Sequence, residues 1–163
     1  MPKVSIIILT YNSAKYIKKL VESIYEQNKG LDFEVIIADN ASIDNTIAII
    51  KKIEHKINFV SNGGNFGFAK GINLGTKHAK GEYFLFINPD AEFKEGSVMN
   101  MLSVFESDDR VGVVGGKLLD SLGKPEKSAG KFFGLLASIL IAFGLDEKFG
   151  VRFSPNKIGR AHV

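Results

Sequence analysis

The chain of 163 residues contains no cysteine, and this absence excludes several classes of protein at once. Disulfide-stabilised scaffolds, thiol catalysis and cysteine-ligated zinc or iron–sulfur centres all require thiols. Only four prolines accompany 17 glycines, which indicates tight connections within an ordered fold. A hydrophobic content of 45% and a charged content of 24% are typical of a globular domain. We therefore predict one ordered core, in a reducing compartment.

The chain also lacks a strong charge of one sign and a long hydrophobic run. Its net charge is +3, with basic and acidic residues interspersed, so we expect no nucleic-acid partner. The apolar run near the N-terminus has about six residues, too few for an export signal. Residues 132–145 form the longest apolar stretch, short of the roughly 17–25 residues that cross a bilayer as a helix. We predict a cytoplasmic protein. This stretch also leaves open a peripheral contact with the inner face of the plasma membrane.

Hydrophobic periodicity predicts alternating strands and helices. Buried-type runs predict strands at 4–10, 33–38, 57–61, 83–87 and 111–115, and helical spacing predicts helices at 13–28, from about 44, up to about 79–81 and at 96–106. Alternation of this kind predicts an α/β fold with a mainly parallel central sheet flanked by helices. Ligands of such sheets bind beyond the carboxyl ends of the strands.

Three polar loops follow predicted strands, at residues 10–12, 39–44 and 88–92. Each loop alone is explained by helix capping or a turn. Capping needs only one side chain per helix, however, and the second loop carries two carboxylates, Asp39 and Asp44. The three loops together therefore indicate a binding site at one edge of the sheet.

Residues 62–73 form the densest glycine cluster. Its spacing matches neither the Rossmann fingerprint nor the P-loop. Glycines before a helix allow a close approach of backbone N–H groups to a diphosphate, and Lys70 could add a charge. A flexible connection with a solvated lysine explains the same residues.

Four segments of the chain carry a specific resemblance: V-S-I-I-I-L-T-Y-N, E-V-I-I-A-D-N-A-S-I-D-N-T, N-G-G-N-F-G-F-A-K-G-I-N and G-E-Y-F-L-F-I-N-P-D-A. In this order they resemble the donor-binding half of a family-2 glycosyltransferase of the GT-A fold, most like the rhamnosyltransferase type. The resemblance covers about residues 3–145. It implies a nucleotide-sugar-binding domain at 1–131 and the start of an acceptor-side or membrane-proximal segment at 132–157.

The resemblance also implies a donor site. The residues that it places at the nucleotide sugar are Thr10, Tyr11, Asn12, Asp39, Ser42, Asp44, Gly67, Phe68, Gly71, Asn73 and Asn88. Asp39 is expected to accept a hydrogen bond from the imide N–H of uracil or thymine, a charge-assisted bond that cytosine cannot supply.

The segment Asn88-Pro89-Asp90 stands where the family has its D-x-D metal motif. By resemblance, Asp90 holds Mg²⁺ or Mn²⁺ against the two phosphates of the donor, and the metal stabilises the departing nucleoside diphosphate. Asn88 replaces the first carboxylate and supplies no charge, so we expect weaker metal binding before the donor arrives. The N-P-D form favours a dTDP sugar, for example dTDP-rhamnose, with a UDP sugar as the other donor considered.

The reaction implied is an inverting transfer of the sugar to a hydroxyl of a saccharide or lipid-linked acceptor during cell-surface polysaccharide synthesis. Inversion needs a general base, which the family carries in an acidic motif well downstream of the metal motif. Asp146 and Glu147 form the last acidic pair but lack the surrounding pattern of that motif. The expectation is therefore a truncated enzyme that is inactive as this chain.

Two other interpretations remain. A nucleotidyltransferase would carry a glycine-rich loop with Arg or Lys after the first strand, where this chain has Thr10-Tyr11-Asn12. A non-catalytic nucleotide-binding or membrane-docking module would use residues 132–145 as its working surface. Residues 158–163, IGRAHV, match the translation of a common sequencing adapter and are predicted to be a non-native tail.

Overall fold

The computed structural model describes residues 1–120 and 122–126 of the chain. The chain divides into two compact units, Met1–Gly115 and Gly116–Val163. All strands and helices below belong to the first unit, and the second contains an isolated antiparallel bridge between Leu119 and Pro125. The predicted domain boundary at 131 and the segments predicted at 132–157 and 158–163 lie outside the described residues.

Strands and helices alternate along the first unit. The elements in chain order are β1 (Val4–Thr10), α1 (Ile17–Gln27), β2 (Phe33–Asp39), α2 (Thr46–Ile50), β3 (Ile57–Ser61), α3 (Gly67–Thr76), β4 (Tyr83–Ile87) and α4 (Ser97–Ser107). Within residues 1–120 and 122–126, every helix is too short or too polar to reach across a bilayer.

The four strands of the first unit form one parallel sheet in the order β3-β2-β1-β4. Thr10 at the end of β1 is in register with Asp39 at the end of β2. Asp39 is in turn in register with Ser61 of β3, and Ile8 of β1 with Ile87 of β4. The loops that follow all four strands therefore leave the same edge of the sheet. This arrangement confirms the predicted mainly parallel α/β fold.

The two faces of the sheet carry two separate parts of the core. On one face, α1, α2 and α4 contribute apolar side chains, among them Leu20, Ile50 and Leu102, to a cluster with Ile6 and Ile8 of β1. On the other face, a smaller cluster contains Ile7, Ile36 and Ile72, the last from α3. Helices thus cover both faces, as parallel sheets require because both of their faces need burial.

The predicted fifth strand at 111–115 is not observed. Val113 is 89% exposed, and a Cβ at Gly112 or Gly115 would meet no atom within 4 Å. A strand is stabilised by hydrogen bonds to a neighbouring strand and by a packed face, and this segment has neither in the described structure. The helix predicted to begin at about 44 is α2, which spans Thr46–Ile50.

Candidate functional site

A pocket of about 250 Å³ opens at the carboxyl edge of the sheet. Its lining residues come from the end of β1 and the loop after it, the end of β2, the glycine segment with the start of α3, and the loop after β4: Leu9, Tyr11, Ser13, Asn40, Asn65, Gly67, Phe68, Asn88 and Pro89. Four segments far apart in sequence therefore meet at one cavity, because the parallel register brings the strand ends together.

Four residues that the sequence places at the donor site line this pocket: Tyr11, Gly67, Phe68 and Asn88. Tyr11 and Phe68 are 48% and 61% exposed, so both aromatic rings are accessible to a ligand. Asn40 and Asn65 also line the pocket, although sequence reasoning did not single them out. Their signal was present, since Asn40 directly follows Asp39 and Asn65 lies within the glycine segment.

Asp39 and Thr10 lie below the pocket and are fully buried. Asp39 Oδ1 accepts hydrogen bonds from the Thr10 hydroxyl at 2.8 Å and the Ser42 hydroxyl at 2.5 Å. Asp39 Oδ2 accepts one from the Ser42 backbone N–H at 2.8 Å. Because Asp39 is buried and does not line the pocket, its carboxylate orders the ends of β1 and β2.

The loops after β1 and β2 interlock through Asn12. Its backbone N–H donates to the Ser42 hydroxyl at 2.9 Å, and its Oδ1 accepts the Ile43 N–H at 2.9 Å. Asn12 has φ 52° and Ala41, in the facing loop, has φ 61°. A left-handed backbone is unfavourable for alanine and persists only where the surroundings enforce it. Ala41 is therefore a strained position in the predicted nucleotide-binding loops, whereas asparagine tolerates the left-handed region.

A second set of hydrogen bonds joins the starts of α1 and α2. The buried Thr46 hydroxyl accepts the Ser13 N–H at 2.7 Å and donates to Asp44 Oδ1 at 2.5 Å. Asp44 Oδ2 accepts the Ala14 N–H at 3.2 Å. Desolvation raises the pKa of Asp44, but the hydrogen bonds from Thr46 and Ala14 outweigh it and hold the pKa below its ordinary value. Asp44 therefore joins the turn before α1 to the first residue of α2 in the described structure.

The glycine segment reaches the pocket through the start of α3. Gly67 has φ +74°, a conformation that favours glycine. A Cβ on Gly71 would lie 2.7 Å from both Asn40 Oδ1 and Leu9 Cδ1, so this helix position must lack a side chain. Asn73 is exposed and does not line the pocket. Lys70 Nζ lies 4.1 Å from the centroid of the Phe66 ring, in a cation–π contact on the surface of the helix.

Asp90 lies half-buried after β4, next to the pocket-lining Pro89. Within the described part of the chain, no group of three or more acidic or histidine side chains forms a metal-binding cluster. The residues nevertheless fit a hard cation, because Asp90 and Asn88 offer oxygen atoms and Mg²⁺ is commonly held by one or two carboxylates plus substrate phosphates. Such a metal would need the donor to complete its coordination.

A helix-flanked parallel sheet with a pocket beyond its carboxyl edge defines the class of α/β domains that bind ligands at that edge. Residues 5–162 match the sequence model of Glycosyl transferase family 2. The chain belongs to this family.

Relatives and solved structures agree with this assignment. An uncharacterized glycosyltransferase of Mycoplasma genitalium is 38% identical over 103 residues, which cover 59% of this chain and 35% of that protein. The poly(ribitol-phosphate) β-N-acetylglucosaminyltransferase TarS of Staphylococcus aureus is 38% identical over 96 residues, which cover 55% of this chain and 16% of TarS. The chain thus matches about a third or less of the length of these two curated relatives.

Two solved structures share the fold. TarS 1–349 of Staphylococcus aureus in complex with UDP-GlcNAc matches with a TM-score of 0.59 and 31% identity, over 64% of this chain and 31% of that one. A mannosyltransferase of Pyrobaculum calidifontis in complex with GDP-Man and Mn²⁺ matches with a TM-score of 0.64 and 30% identity, over 68% of this chain and 34% of that one. The predicted GT-A-type fold is confirmed.

Proposed function

We propose that the described residues form the donor-binding part of an inverting glycosyltransferase that takes its sugar from a nucleoside diphosphate. The observation that carries this proposal is the pocket at the carboxyl edge, where Tyr11, Phe68 and Asn88 meet in a chain of Glycosyl transferase family 2. Two exposed aromatic rings suit a planar base.

The donor that we propose is a dTDP or UDP sugar. The N-P-D segment supports a dTDP sugar, with rhamnose as the sugar to test first. The family resemblance, which places Asp39 at the base, supports a pyrimidine. The solved relatives hold UDP-GlcNAc and GDP-Man, respectively. Their two different bases make base selectivity the first property to measure.

Asp90 and Asn88 are the residues that would hold Mg²⁺ or Mn²⁺ beside the donor. When bound, the metal supplies charge neutralisation for the departing diphosphate, an effect of several kcal/mol. The acceptor that we propose is a hydroxyl of a saccharide or lipid-linked saccharide in cell-surface polysaccharide synthesis. The name of TarS, which refers to a poly(ribitol phosphate) acceptor, supports this class.

Isothermal titration of the full chain with UDP, dTDP and GDP, each with and without Mn²⁺, tests the proposal. We expect the two pyrimidine nucleotides to bind more tightly than GDP, and Mn²⁺ to tighten their binding. Binding is the appropriate measurement because the described residues build a donor site. A chain that binds none of the three nucleotides would contradict the proposal, and tighter binding of GDP would contradict the pyrimidine assignment alone.

A further inference from the structure

Asn40 is a buried amide whose hydrogen bonds all point to the glycine segment. Its side chain is 2% exposed. Nδ2 donates to the Gly67 carbonyl at 3.1 Å and to Asn65 Oδ1 at 3.3 Å. Oδ1 accepts a hydrogen bond from Asn62 Nδ2 at 2.8 Å. The partners fix the orientation of the amide, since a flipped amide would set its oxygen against the Gly67 carbonyl.

The network continues beyond Asn40 in both directions. The Asn40 N–H donates to the Thr10 carbonyl at 2.9 Å, which ties it to the end of β1. Asn62 Nδ2 also donates to the Gly71 carbonyl at 3.3 Å, and Asn65 Oδ1 also accepts the Gly67 N–H at 3.1 Å. Asn40 thus connects two strand ends, through its backbone, with the connection before α3 and the first turns of that helix, through its side chain.

Apolar packing contributes little to the position of this connection. Residues 62–66 are neither helix nor strand, and Asn65 and Phe66 are exposed. The close contact of Gly71 with Asn40 Oδ1 places the helix directly on the amide. Asn40, Asn65, Gly67 and Phe68 form one wall of the pocket. Hydrogen bonds therefore hold the connection before α3, whereas α3 itself is anchored to the sheet by the apolar packing of Ile72.

We propose that Asn40 is a positioning residue of the donor pocket, which holds the Gly67–Phe68 wall at the distance from Tyr11 that the nucleotide requires. This inference rests on the proposed donor site. Asn40 acts through Asn62, Asn65 and Gly67, so its replacement weakens nucleotide binding even where the fold is retained.

Asn40→Asp tests the proposal, because it keeps the shape of the side chain and removes its donor. The carboxylate then faces the Gly67 carbonyl and Asn65 Oδ1, both of which are acceptors. Asn28→Asp is the matched control: Asn28 is 3% exposed, its Nδ2 donates to the Ile24 carbonyl at 2.8 Å, and it does not line the pocket. Both variants replace a buried amide by a carboxyl group, and only Asn40 lies at the pocket. The amide nitrogen donates two hydrogen bonds in Asn40 and one in Asn28.

We expect Asn40→Asp to raise the Kd for dTDP or UDP about tenfold or more, and Asn28→Asp to leave it within about twofold. Both variants should lose thermal stability. Asn62→Ala provides a milder variant that removes a partner of Asn40 without touching the pocket lining. It should raise the Kd less than Asn40→Asp, and the two changes should be less than additive in the double variant. Unchanged nucleotide affinity in Asn40→Asp would overturn the positioning role.

Amide hydrogen exchange separates failure of this inference from failure of the proposed function. Asn40→Asp should speed exchange at residues 71–76, whose N–H groups are bonded within α3, and Asn28→Asp should not. Faster exchange there, in a chain whose wild type binds no nucleotide, would support the positioning of the wall and count against the donor site. Unchanged exchange at residues 71–76 would overturn the inference whatever the wild type binds.

Discussion

Gly81 shows how one absent side chain determines the packing at the start of β4. A Cβ at this position would lie 2.5 Å from the Ser5 backbone nitrogen, a distance that atoms do not adopt. The Gly81 N–H donates to the Ser5 hydroxyl at 2.8 Å, and that hydroxyl donates to Glu34 Oε1 at 2.7 Å. Since the contact is with backbone, the strand start must move to accept a methyl group.

We expect Gly81→Ala to lower the free energy of unfolding by about 1–3 kcal/mol, the range of overpacked sites. Gly112→Ala is the control, because a Cβ there meets nothing within 4 Å. It should stay within about 0.5 kcal/mol of wild type. Urea denaturation of the three proteins measures the difference, and equal midpoints for all of them would show that the contact with Ser5 is not tight.

Asp44 gives the fold a dependence on pH. Its pKa is lowered in the folded chain, because the hydrogen bonds from Thr46 and Ala14 outweigh desolvation. The ionised carboxylate therefore stabilises the fold above the ordinary aspartate pKa of about 3.9, and this contribution is lost as the pH falls through the lowered pKa. Asp44→Asn removes the titrating group from the same position.

We expect Asp44→Asn to be less stable than wild type at pH 7, and the difference to shrink as the pH falls below about 4. Asp108 also has a lowered pKa, through its hydrogen bonds with Arg110, but both proteins share it and its effect cancels. Urea midpoints at pH 7, 4 and 3 measure the difference. A gap that stays constant over this range would mean that the ionised form of Asp44 makes no special contribution.

At the scale of elements, the Thr46 hydroxyl connects the start of α1 to the start of α2. It is fully buried and it both accepts from Ser13 N–H and donates to Asp44. Thr46→Val keeps the shape of the side chain and leaves the Ser13 N–H without this acceptor, which costs about 1–3 kcal/mol. Thr46→Ser keeps the hydroxyl and loses only a methyl group, about 0.8 kcal/mol. The thermal unfolding midpoint should therefore be highest for wild type, lower for Thr46→Ser and lowest for Thr46→Val. A lower midpoint for Thr46→Ser than for Thr46→Val would contradict the role of the hydroxyl.

The sequence predicts the central strands well because strands that are buried on both faces appear as continuous apolar runs. The apolar run of β1 begins and ends where the strand does, and β2 extends only one residue beyond its predicted range of 33–38. The predicted strand at 111–115 fails because β-branched residues favour a strand only where a neighbour completes the ladder, and Val113 is exposed instead. Whether a strand finds a neighbour to pair with depends on the tertiary structure, which a short apolar run does not reveal.

The candidate site is predictable only in part, for a related reason. Tyr11, Phe68 and Asn88 could be assigned to the site because they lie in loops that follow strands or in the first turn of a helix. Asn40 escaped notice because an amide after a strand predicts a turn or a cap equally well, and only the folded chain shows its partners in the glycine segment. The carboxylate of Asp39 could be placed at the strand end, but its complete burial depends on Thr10 and Ser42.

At the scale of the whole first unit, the site is built from two groups of loops that lie on either side of β1. The loops after β1 and β2 are locked together by the hydrogen bonds of Asn12, Ser42 and Asp39. The loop after β4 brings Asn88 to the same pocket along the other side of β1. A ligand with a base at one end and a metal-bound diphosphate at the other would bridge these two parts, so its binding should depend on Asp90 only when metal is present.

This dependence gives the last prediction, which separates metal binding from nucleotide binding. We expect Mn²⁺ to tighten dTDP binding by wild type and not by Asp90→Asn, while the affinity without metal stays within about twofold. Asp109→Asn, at an exposed carboxylate after α4, is the control and should keep the Mn²⁺ effect. Thermal unfolding reports the same linkage, since a ligand at 100 times its Kd stabilises the folded chain by about 2.7 kcal/mol. If Asp90→Asn retained the full Mn²⁺ effect, residues other than Asp90 would have to bind the metal.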